Sequence, residues 1–465
     1  MSEGTTIVRG AWALTMGPAG AIREGAVAFD GDGAISAVGP ADQLIAADPG
    51  AELVGDGNGI VLPGFVNAHT HLTEGLITGM GETAVLWEWF ERVVNPAGLR
   101  ITRDEVALGT RLKAVEMLES GITTVNDMSC HRNLGSLASL GAVDGLAATG
   151  MRGVVSFGAE DMYDGAPGAD VFMAEHEALA DRIAPEELID FRIGVGTVLG
   201  MSDELFGRTI KAAGENGWAV HTHLAEVREE ITESTLLHGG STIRHADRTG
   251  LLDHEVIAGH CIWCSETDIG LLASNDVAVA HNPVANMILA SGVCPVPRLL
   301  REGVRVGIGT DGAASNDSQD MFGAIKSAAV LQKVHHLQAV AMTAPQVMEM
   351  ATIGGAKALG KEKEIGSLEV GKRADVVLLD GNGPELAVLH DPFQQIVYGA
   401  TPRSVSEVWV DGKLRVTGAE TVGVDRTALA TEAREAARDL AIRGEMKGES
   451  AYAGPLDFES FEEGK

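Results

Sequence analysis

The chain has 465 residues, of which 66 are acidic and 35 are basic, so its formal net charge at pH 7 is −31. Nucleic acids and anionic membranes select clustered lysine and arginine, so this balance excludes both as main partners and favours a neutral or cationic small molecule. With 45% hydrophobic residues, the chain can bury one large core and a smaller one.

Short β-type runs broken by turns fill residues 1–60 and predict the N-terminal part of a small β-sandwich. From residue 61, short apolar runs alternate with helical stretches that end in glycine, which is the βα rhythm of α/β proteins. Eight strands are predicted here, at residues 61–69, 122–128, 152–159, 189–198, 218–226, 255–263, 276–283 and 304–312. Eight near-regular units predict a TIM (β/α)8 barrel over residues 61–362, with an open doubly wound sheet as the alternative.

After the barrel, β-type runs return over residues 363–422. We expect them to complete the β-sandwich with the N-terminal strands, because the two ends of a chain often lie close together. Residues 423–465 are predicted to form a C-terminal helix, over 425–446, and an acidic, loosely ordered tail.

The sequence predicts a cytoplasmic protein. Its first residues, "MSEGTTIVRGAW", lack a basic stretch followed by an apolar one, and no apolar run is long enough to span a bilayer. Cys261 and Cys264 form a lone CxxC without a second one to complete a zinc ribbon, so we interpret the cysteines as incidental reduced thiols.

Polar side chains end five of the eight predicted strands. They are His69 and His71 after the first strand, His223 and Glu226 after the fifth, His260 after the sixth, His281 after the seventh and Asp311 after the eighth. The C-terminal ends of all strands in a TIM barrel meet at one rim, so these side chains should lie close together. Residues i and i+2 of a strand face the same side, so His69 and His71 project together. The sequence therefore predicts a metal site at this rim.

Three imidazole nitrogens and one carboxylate oxygen suit one zinc ion, with iron as the alternative. These donors come from His69, His71, His223 and Asp311. His221 shares a strand face with His223 and is an alternative ligand, but His223 lies nearer the strand end. The fourth strand has no lysine or inward carboxylate at its end to bridge a second ion, which favours one metal per chain.

The motifs that carry these residues resemble the amidohydrolase superfamily. They include "LPGFVNAHTHL", "HTHLAEVREE", "AGHCIW" and "GIGTDGAASND", and the resemblance spans residues 61–380. It is closest to the cytosine-deaminase-like branch, which contains methylthioadenosine/S-adenosylhomocysteine deaminases, guanine deaminases and s-triazine hydrolases. The resemblance implies metal ligands at the four positions above, a proton-shuttling acid at Glu226 and a catalytic role for His260, which acts with Asp311 on the attacking water. It also implies a homo-oligomer and gives His281 a role in orienting the metal ligands.

The resemblance implies a metal-dependent hydrolytic deaminase that acts on an amino-substituted N-heterocycle. The same residues can instead expel chloride, an alkylamine or a thiol from a triazine-like substrate, because the pocket selects the leaving group. A metal-binding barrel without catalysis is a third interpretation. It is disfavoured because Glu226 and His260 are both present.

Two departures from the family pattern concern the substrate. Nucleoside-deaminating members carry a substrate-contacting histidine after the fourth strand, where this chain has Val198, and a ribose-binding acidic residue where it has Gly98. Unpaired ribose hydroxyls would each cost about 1–3 kcal/mol if buried. We therefore expect an apolar pocket, lined by Trp89 and Val198, for a heterocycle that is not a nucleoside. His131 follows the second strand and has either a substrate-facing or a structural role.

Overall fold

The computed structural model describes residues 4–446 and the backbone of residues 449–450 and 454–455. The rest of the predicted acidic tail lies outside the described residues. The strands are β1 Thr6–Arg9, β2 Trp12–Leu14, β3 Ala21–Arg23, β4 Gly25–Phe29, β5 Ile35–Pro40, β6 Glu52–Val54, β7 Ile60–Pro63, β8 Phe65–Thr70, β9 Ile122–Ser129, β10 Arg152–Ala159, β11 Ile189–Phe191, β12 Ile193–Thr197, β13 Val220–Leu224, β14 Val256–His260, β15 Ala278–His281, β16 Val306–Ile308, β17 Val376–Leu379, β18 Val405–Val410, β19 Lys413–Thr417, β20 Glu420–Thr421, β21 Glu449–Ser450 and β22 Gly454–Pro455.

Helices alternate with the central strands, and short 3₁₀ and π-helical turns join some of them. The α-helices are α1 Ala41–Ala47, α2 Leu86–Trp89, α3 Asn95–Gly98, α4 Arg103–Glu119, α5 Leu140–Thr149, α6 Ala169–Ile183, α7 Asp203–Asn216, α8 Arg228–His238, α9 Thr242–Arg248, α10 Glu266–Ser274, α11 Pro283–Ile288, α12 Val296–Arg301, α13 Met321–His336, α14 Ala344–Ala351, α15 Ile353–Ala358, α16 Pro392–Tyr398 and α17 Arg426–Arg443. Helix α17 is the predicted C-terminal helix.

Eight parallel strands form the path of the central sheet, and a ninth, β11, pairs with β10 beside that path. The eight strands are hydrogen-bonded in chain order from β8 through β9, β10, β12, β13, β14 and β15 to β16. The first and last strands meet where the backbone N–H of Asp311 donates to the carbonyl of His69 at 3.0 Å. The N–H of Thr310 donates to the side-chain oxygen of Asn67, also at 3.0 Å. The predicted TIM barrel is therefore confirmed against the open doubly wound sheet.

Two of the predicted barrel strands are divided. The run at 61–69 contributes two strands. One is β7, which pairs with β17 outside the barrel, and the other is β8, which is the first strand of the barrel. Gly64 lies at the crossing, where a Cβ atom would approach Thr123 Oγ1 to 2.1 Å, so only glycine fits. The run at 189–198 breaks between β11 and β12 at Arg192, whose guanidinium donates to the Leu359 carbonyl at 2.9 Å.

Two further sheets form the small domain. One has the order β5-β4-β1-β6 and the other β20-β19-β18-β17-β7-β2-β3, so N-terminal and C-terminal strands pair in one sheet, as expected for the β-sandwich. Val8, Phe29 and Trp409 belong to the apolar cluster that these sheets bury. Arg152 at the start of β10 joins the domain to the barrel through an ion pair with Asp375 at 3.1 Å.

Two expectations about compartment and thiols can be compared with the fold. Within the described residues, no helix combines the length and the apolar character that a membrane span requires. All four cysteines are free thiols. This agrees with the interpretation of Cys261 and Cys264 as reduced residues.

Candidate metal and catalytic site

The four predicted metal ligands converge at the C-terminal rim of the barrel. His71 Nε2 lies 3.2 Å from His223 Nε2 and 3.4 Å from Asp311 Oδ1. His69 Nε2 lies 3.3 Å from the same carboxylate oxygen. Donor atoms that are separated by up to 242 positions along the chain, from residue 69 to residue 311, therefore surround one point.

The chemistry of this cluster fits a divalent metal ion. His69 Nε2 is buried and has no hydrogen-bond partner among the described residues. Buried polar atoms are nearly always paired, so this nitrogen is available to coordinate an ion. Burial lowers the pKa of His69 to about 4 and also lowers the pKa values of His71 and His223. The rings are therefore neutral at pH 7, which is the form that coordinates metals.

Hydrogen bonds at the opposite ring nitrogens orient two of the histidines. His71 Nδ1 donates to the Met128 carbonyl and His223 Nδ1 donates to the Gly196 carbonyl, each at 2.7 Å. These bonds place the proton on Nδ1 and leave the lone pair of Nε2 directed at the cluster.

His221 supports the cluster from behind. Its Nε2 lies 2.8 Å from His69 Nδ1, on the side of the His69 ring that faces away from the other donors. Among the described residues, two groups are placed to hold a metal ion, one of His69, His71 and His223 and the other of His69, His260 and Asp311, and neither contains His221. The geometry therefore favours the ligand that the sequence favoured.

Glu226 and His260 lie beside the cluster. His260 Nε2 is 3.5 Å from Glu226 Oε2 and 4.0 Å from Asp311 Oδ2. The His260 ring is held by the side-chain amide oxygen of Asn286, 2.9 Å from Nδ1, and the Ser291 hydroxyl donates to Glu226 Oε1 at 3.1 Å. Sequence reasoning missed Asn286 and Ser291, because neither follows a strand end.

Burial and neighbouring charges together set the pKa values of Glu226, His260 and Asp311. Burial raises the pKa of Glu226 to about 7. Burial acts to lower the pKa of His260, but the carboxylates of Glu226 and Asp311 outweigh it and raise that pKa. Burial acts to raise the pKa of Asp311, but His260 and His69 hold it far below its usual range. A carboxyl with a pKa near neutrality can both give and take a proton at pH 7.

The backbone at the rim is held in an unusual conformation. Ala225, His260 and Asp311 have φ values of 54°, 71° and 64°, in the left-handed region that favours glycine. Such residues cost of order 1–3 kcal/mol each and persist only where the surrounding structure fixes them. The turns at the strand ends bring the side chains of His260 and Asp311 to the cluster. The turn at Ala225 does the same for the neighbouring side chain of Glu226.

A cavity of about 990 Å³, partly open to solvent, adjoins the cluster and is lined by Glu226, His260 and Asp311. Trp89 lines it as predicted, with its indole N–H donating to the Ala314 carbonyl at 3.1 Å. His131 also lines it, but its Nε2 lies 2.7 Å from Glu175 Oε1, so this histidine makes a structural contact within the fold.

Val198 does not take its predicted place at the cavity. It is only 3% exposed and packs in the core, and the described residues that line the cavity do not include it. Its neighbours Thr197 and Leu199 line the cavity instead. His281 is fully buried, and neither of its ring nitrogens has a hydrogen-bond partner among the described residues, so its role in orienting the metal ligands stays a prediction.

Most of the cavity wall is apolar, as expected. The apolar side chains that line it include Leu86, Trp89, Phe90, Val94 and Leu199. Glu160, Arg132 and Thr197 add two ionisable groups and a hydroxyl that were not predicted from the sequence. Glu160 directly follows β10, so the rule that found Glu226 at a strand end would have found it too. These polar groups were missed because only the two positions at which relatives carry polar groups were considered.

Asp127 allows the effect of burial on the pKa of a carboxyl group in the barrel to be tested. Burial raises its pKa to about 8, and its Oδ1 accepts a hydrogen bond from the Leu72 N–H at 2.6 Å. The folded-state pKa lies above the unfolded value of about 3.9, so its stabilising contribution is complete below pH 4 and is lost as the pH rises through 8. We expect Asp127→Asn, which keeps the acceptor, to lose less stability than the wild type between pH 5 and pH 8. Melting temperatures at several pH values measure this difference, and parallel curves for the two proteins would contradict it.

Comparisons with known proteins extend this picture. The profile of the Amidohydrolase family matches residues 60–415. A 5-methylthioadenosine/S-adenosylhomocysteine deaminase of Desulforudis audaxviator is 38% identical over 90% of this chain and 94% of its own length. A 5'-deoxyadenosine deaminase of Methanosarcina mazei is 34% identical over 94% and 98% of the two chains. The crystal structure of an adenosine deaminase from Xanthomonas campestris with bound zinc superposes with a TM-score of 0.88 at 31% identity, covering 95% of this chain and 100% of that one. The names of these proteins do not favour the expectation that a nucleoside is excluded.

Proposed function

This chain belongs to the amidohydrolase family and is a hydrolytic deaminase, and from that premise we propose that its substrate is an adenosine-type purine nucleoside and its metal a single zinc ion. The observation that carries the proposal is the placement of Glu226 and His260, 3.5 Å apart, between the four-donor cluster and a cavity with polar side chains on its wall. The three relatives named above support the substrate class. A cytoplasmic location and a homo-oligomeric state remain predictions from the sequence.

The reaction divides between the metal ion and the side chains of this chain. His69, His71, His223 and Asp311 would hold the ion, which supplies Lewis acidity that lowers the pKa of a water molecule towards neutrality. Asp311, ionised at neutral pH, and His260 orient the attacking water at carbon 6 of the purine. Glu226 transfers one proton of that water to the adjacent ring nitrogen, and the second proton of the water goes to the amino group, which leaves as ammonia. The water oxygen replaces the amino group, so the product is the corresponding inosine-type nucleoside.

A substrate panel tests the proposal. We expect ammonia release from adenosine, 5'-deoxyadenosine and methylthioadenosine, with kcat/KM at least about tenfold above that for free adenine, because each sugar contact that pairs a buried polar group contributes of order 1 kcal/mol. Guanine and a chlorotriazine, followed by chloride as well as ammonia release, serve as comparison substrates. Turnover of the free base or the triazine without turnover of any nucleoside would overturn the proposed substrate class.

A further inference from the structure

Glu160 places a carboxylate in the cavity wall, and the proposed reaction does not use it. Its side chain lines the cavity together with Thr197 and Arg132. A charged side chain in such a position is costly to bury unless it is paired in the fold or by a ligand. Glu160 therefore requires an explanation beyond packing.

Two glycines provide the space for this carboxylate. A Cβ atom on Gly196 would lie 2.5 Å from Glu160 Cγ, and one on Gly200 would lie 2.4 Å from Glu160 Oε1. The Thr197 hydroxyl between them donates to Oε1 at 2.9 Å and accepts from the Gly200 N–H at 2.9 Å. The carboxylate is thus fixed in place by the loop after β12.

The same wall contains Gly98, the position at which nucleoside-binding relatives are expected to carry an acidic residue. The Arg132 N–H donates to the Gly98 carbonyl at 2.9 Å, and the Arg132 guanidinium lies over the Tyr163 ring, 4.4 Å from its centroid. Burial raises the pKa of Glu160, and the hydrogen bond from Thr197 and the Arg132 charge oppose that rise. Gly98, Arg132 and Glu160 therefore all line the same cavity.

Glu160 is also close to the reacting centre. Gly196, against which the Glu160 side chain packs, is the residue whose carbonyl accepts the hydrogen bond from His223 at 2.7 Å. A group bound by Glu160 would therefore lie on the side of the cavity next to His223.

We infer that Glu160 accepts hydrogen bonds from the sugar hydroxyls of the substrate, in place of the acidic residue that is missing at Gly98. An ionised carboxylate accepts about four hydrogen bonds, and Thr197 supplies two donors, its hydroxyl and its backbone N–H. Two neighbouring hydroxyls match the remaining acceptor positions, whereas an apolar substituent would leave those positions unpaired. The inference rests on the proposed function, because it concerns the sugar of a nucleoside.

The test compares substrates with and without the hydroxyls. For the wild-type holoenzyme we expect kcat/KM for adenosine to exceed that for 2',3'-dideoxyadenosine by about 10- to 100-fold, the range for lost hydrogen bonds to a charged group. Glu160→Gln should lower kcat/KM for adenosine by a similar factor and leave that for dideoxyadenosine within about twofold, since the second substrate makes no such bond. Glu177→Gln, an exposed glutamate on α6, is the control and should change neither value.

The outcomes separate the two proposals. If the wild type deaminates no nucleoside, the proposed function fails. If it deaminates adenosine and dideoxyadenosine equally well, or if Glu160→Gln lowers both values alike while metal content and melting temperature are unchanged, the role of Glu160 is wrong. The wild-type comparison stands even if Glu160→Gln does not fold. Gly98→Glu in the Glu160→Gln background should restore part of the preference, because a Cβ atom at position 98 has its nearest neighbours at an ordinary 3.6 Å.

Discussion

Glu226→Gln is expected to lower kcat by about 10³-fold, within the range measured for the loss of a positioned general acid–base group. The amide keeps the shape of the side chain and can still accept the hydrogen bond from Ser291, but it cannot carry a proton between water and the ring. Steady-state kinetics with adenosine and with 5'-deoxyadenosine measure the effect.

The metal site should be unaffected by this change, because Glu226 is not among the residues that are placed to hold the ion in the described part of the chain. Metal analysis of Glu226→Gln should therefore match the wild type. Glu229→Gln is the matched control, because Glu229 lies three positions further on, at the start of α8, with its side chain exposed. Full activity of Glu226→Gln would remove Glu226 from the reaction, and loss of bound metal would assign it a different role.

His223→Ala is expected to weaken metal binding by about 10³-fold or more and to abolish activity, because it removes one of four donors from a site whose binding energy is shared among them. Competition with a chromophoric chelator measures the affinity, and metal analysis of the purified protein gives the stoichiometry. We expect about one ion per wild-type chain, since the two groups of donors in the described residues share His69.

The neighbouring histidine tests which ring binds the ion. His221 contacts Nδ1 of His69, the ring nitrogen opposite the one that faces the other donors, so His221→Ala should weaken binding by only about 10- to 100-fold, as for other residues that orient a ligand. It should also lower the melting temperature, because His221 is fully buried. His336→Ala, at an exposed position on α13, is the control for loss of an imidazole. A larger loss of affinity in His221→Ala than in His223→Ala would show that His221, and not His223, binds the ion.

The position of the reactive residues follows from a repeated local pattern. His69, His223 and Asp311 each follow or end a short apolar strand, and in a parallel barrel every such strand ends at the same rim. The identity of the side chains then limits the chemistry to a metal with nitrogen and oxygen donors. For these reasons, the sequence sufficed for the barrel and for the composition of the cluster.

The side chains that line the cavity could not be predicted from strand ends in the same way. Position 198 follows a strand end like position 160, yet Val198 is buried in the core, whereas Glu160 reaches the cavity through the space above Gly196 and Gly200. Which of these side chains faces the substrate depends on loop backbone and on glycines in another segment, and neither is visible as a period in the sequence.

The sequence by itself determined the barrel and the accompanying β-sheets, and it predicted four donors at the barrel rim, because strand periodicity and chain order place each of them at a known end of the fold. Only the tertiary structure decided how the strand ends turn and what lines the cavity. The left-handed backbone at His260 and Asp311 and the polar contacts around Glu160 depend on packing between distant segments. Such conformations are unfavourable locally and are held by contacts that no single segment of the chain contains.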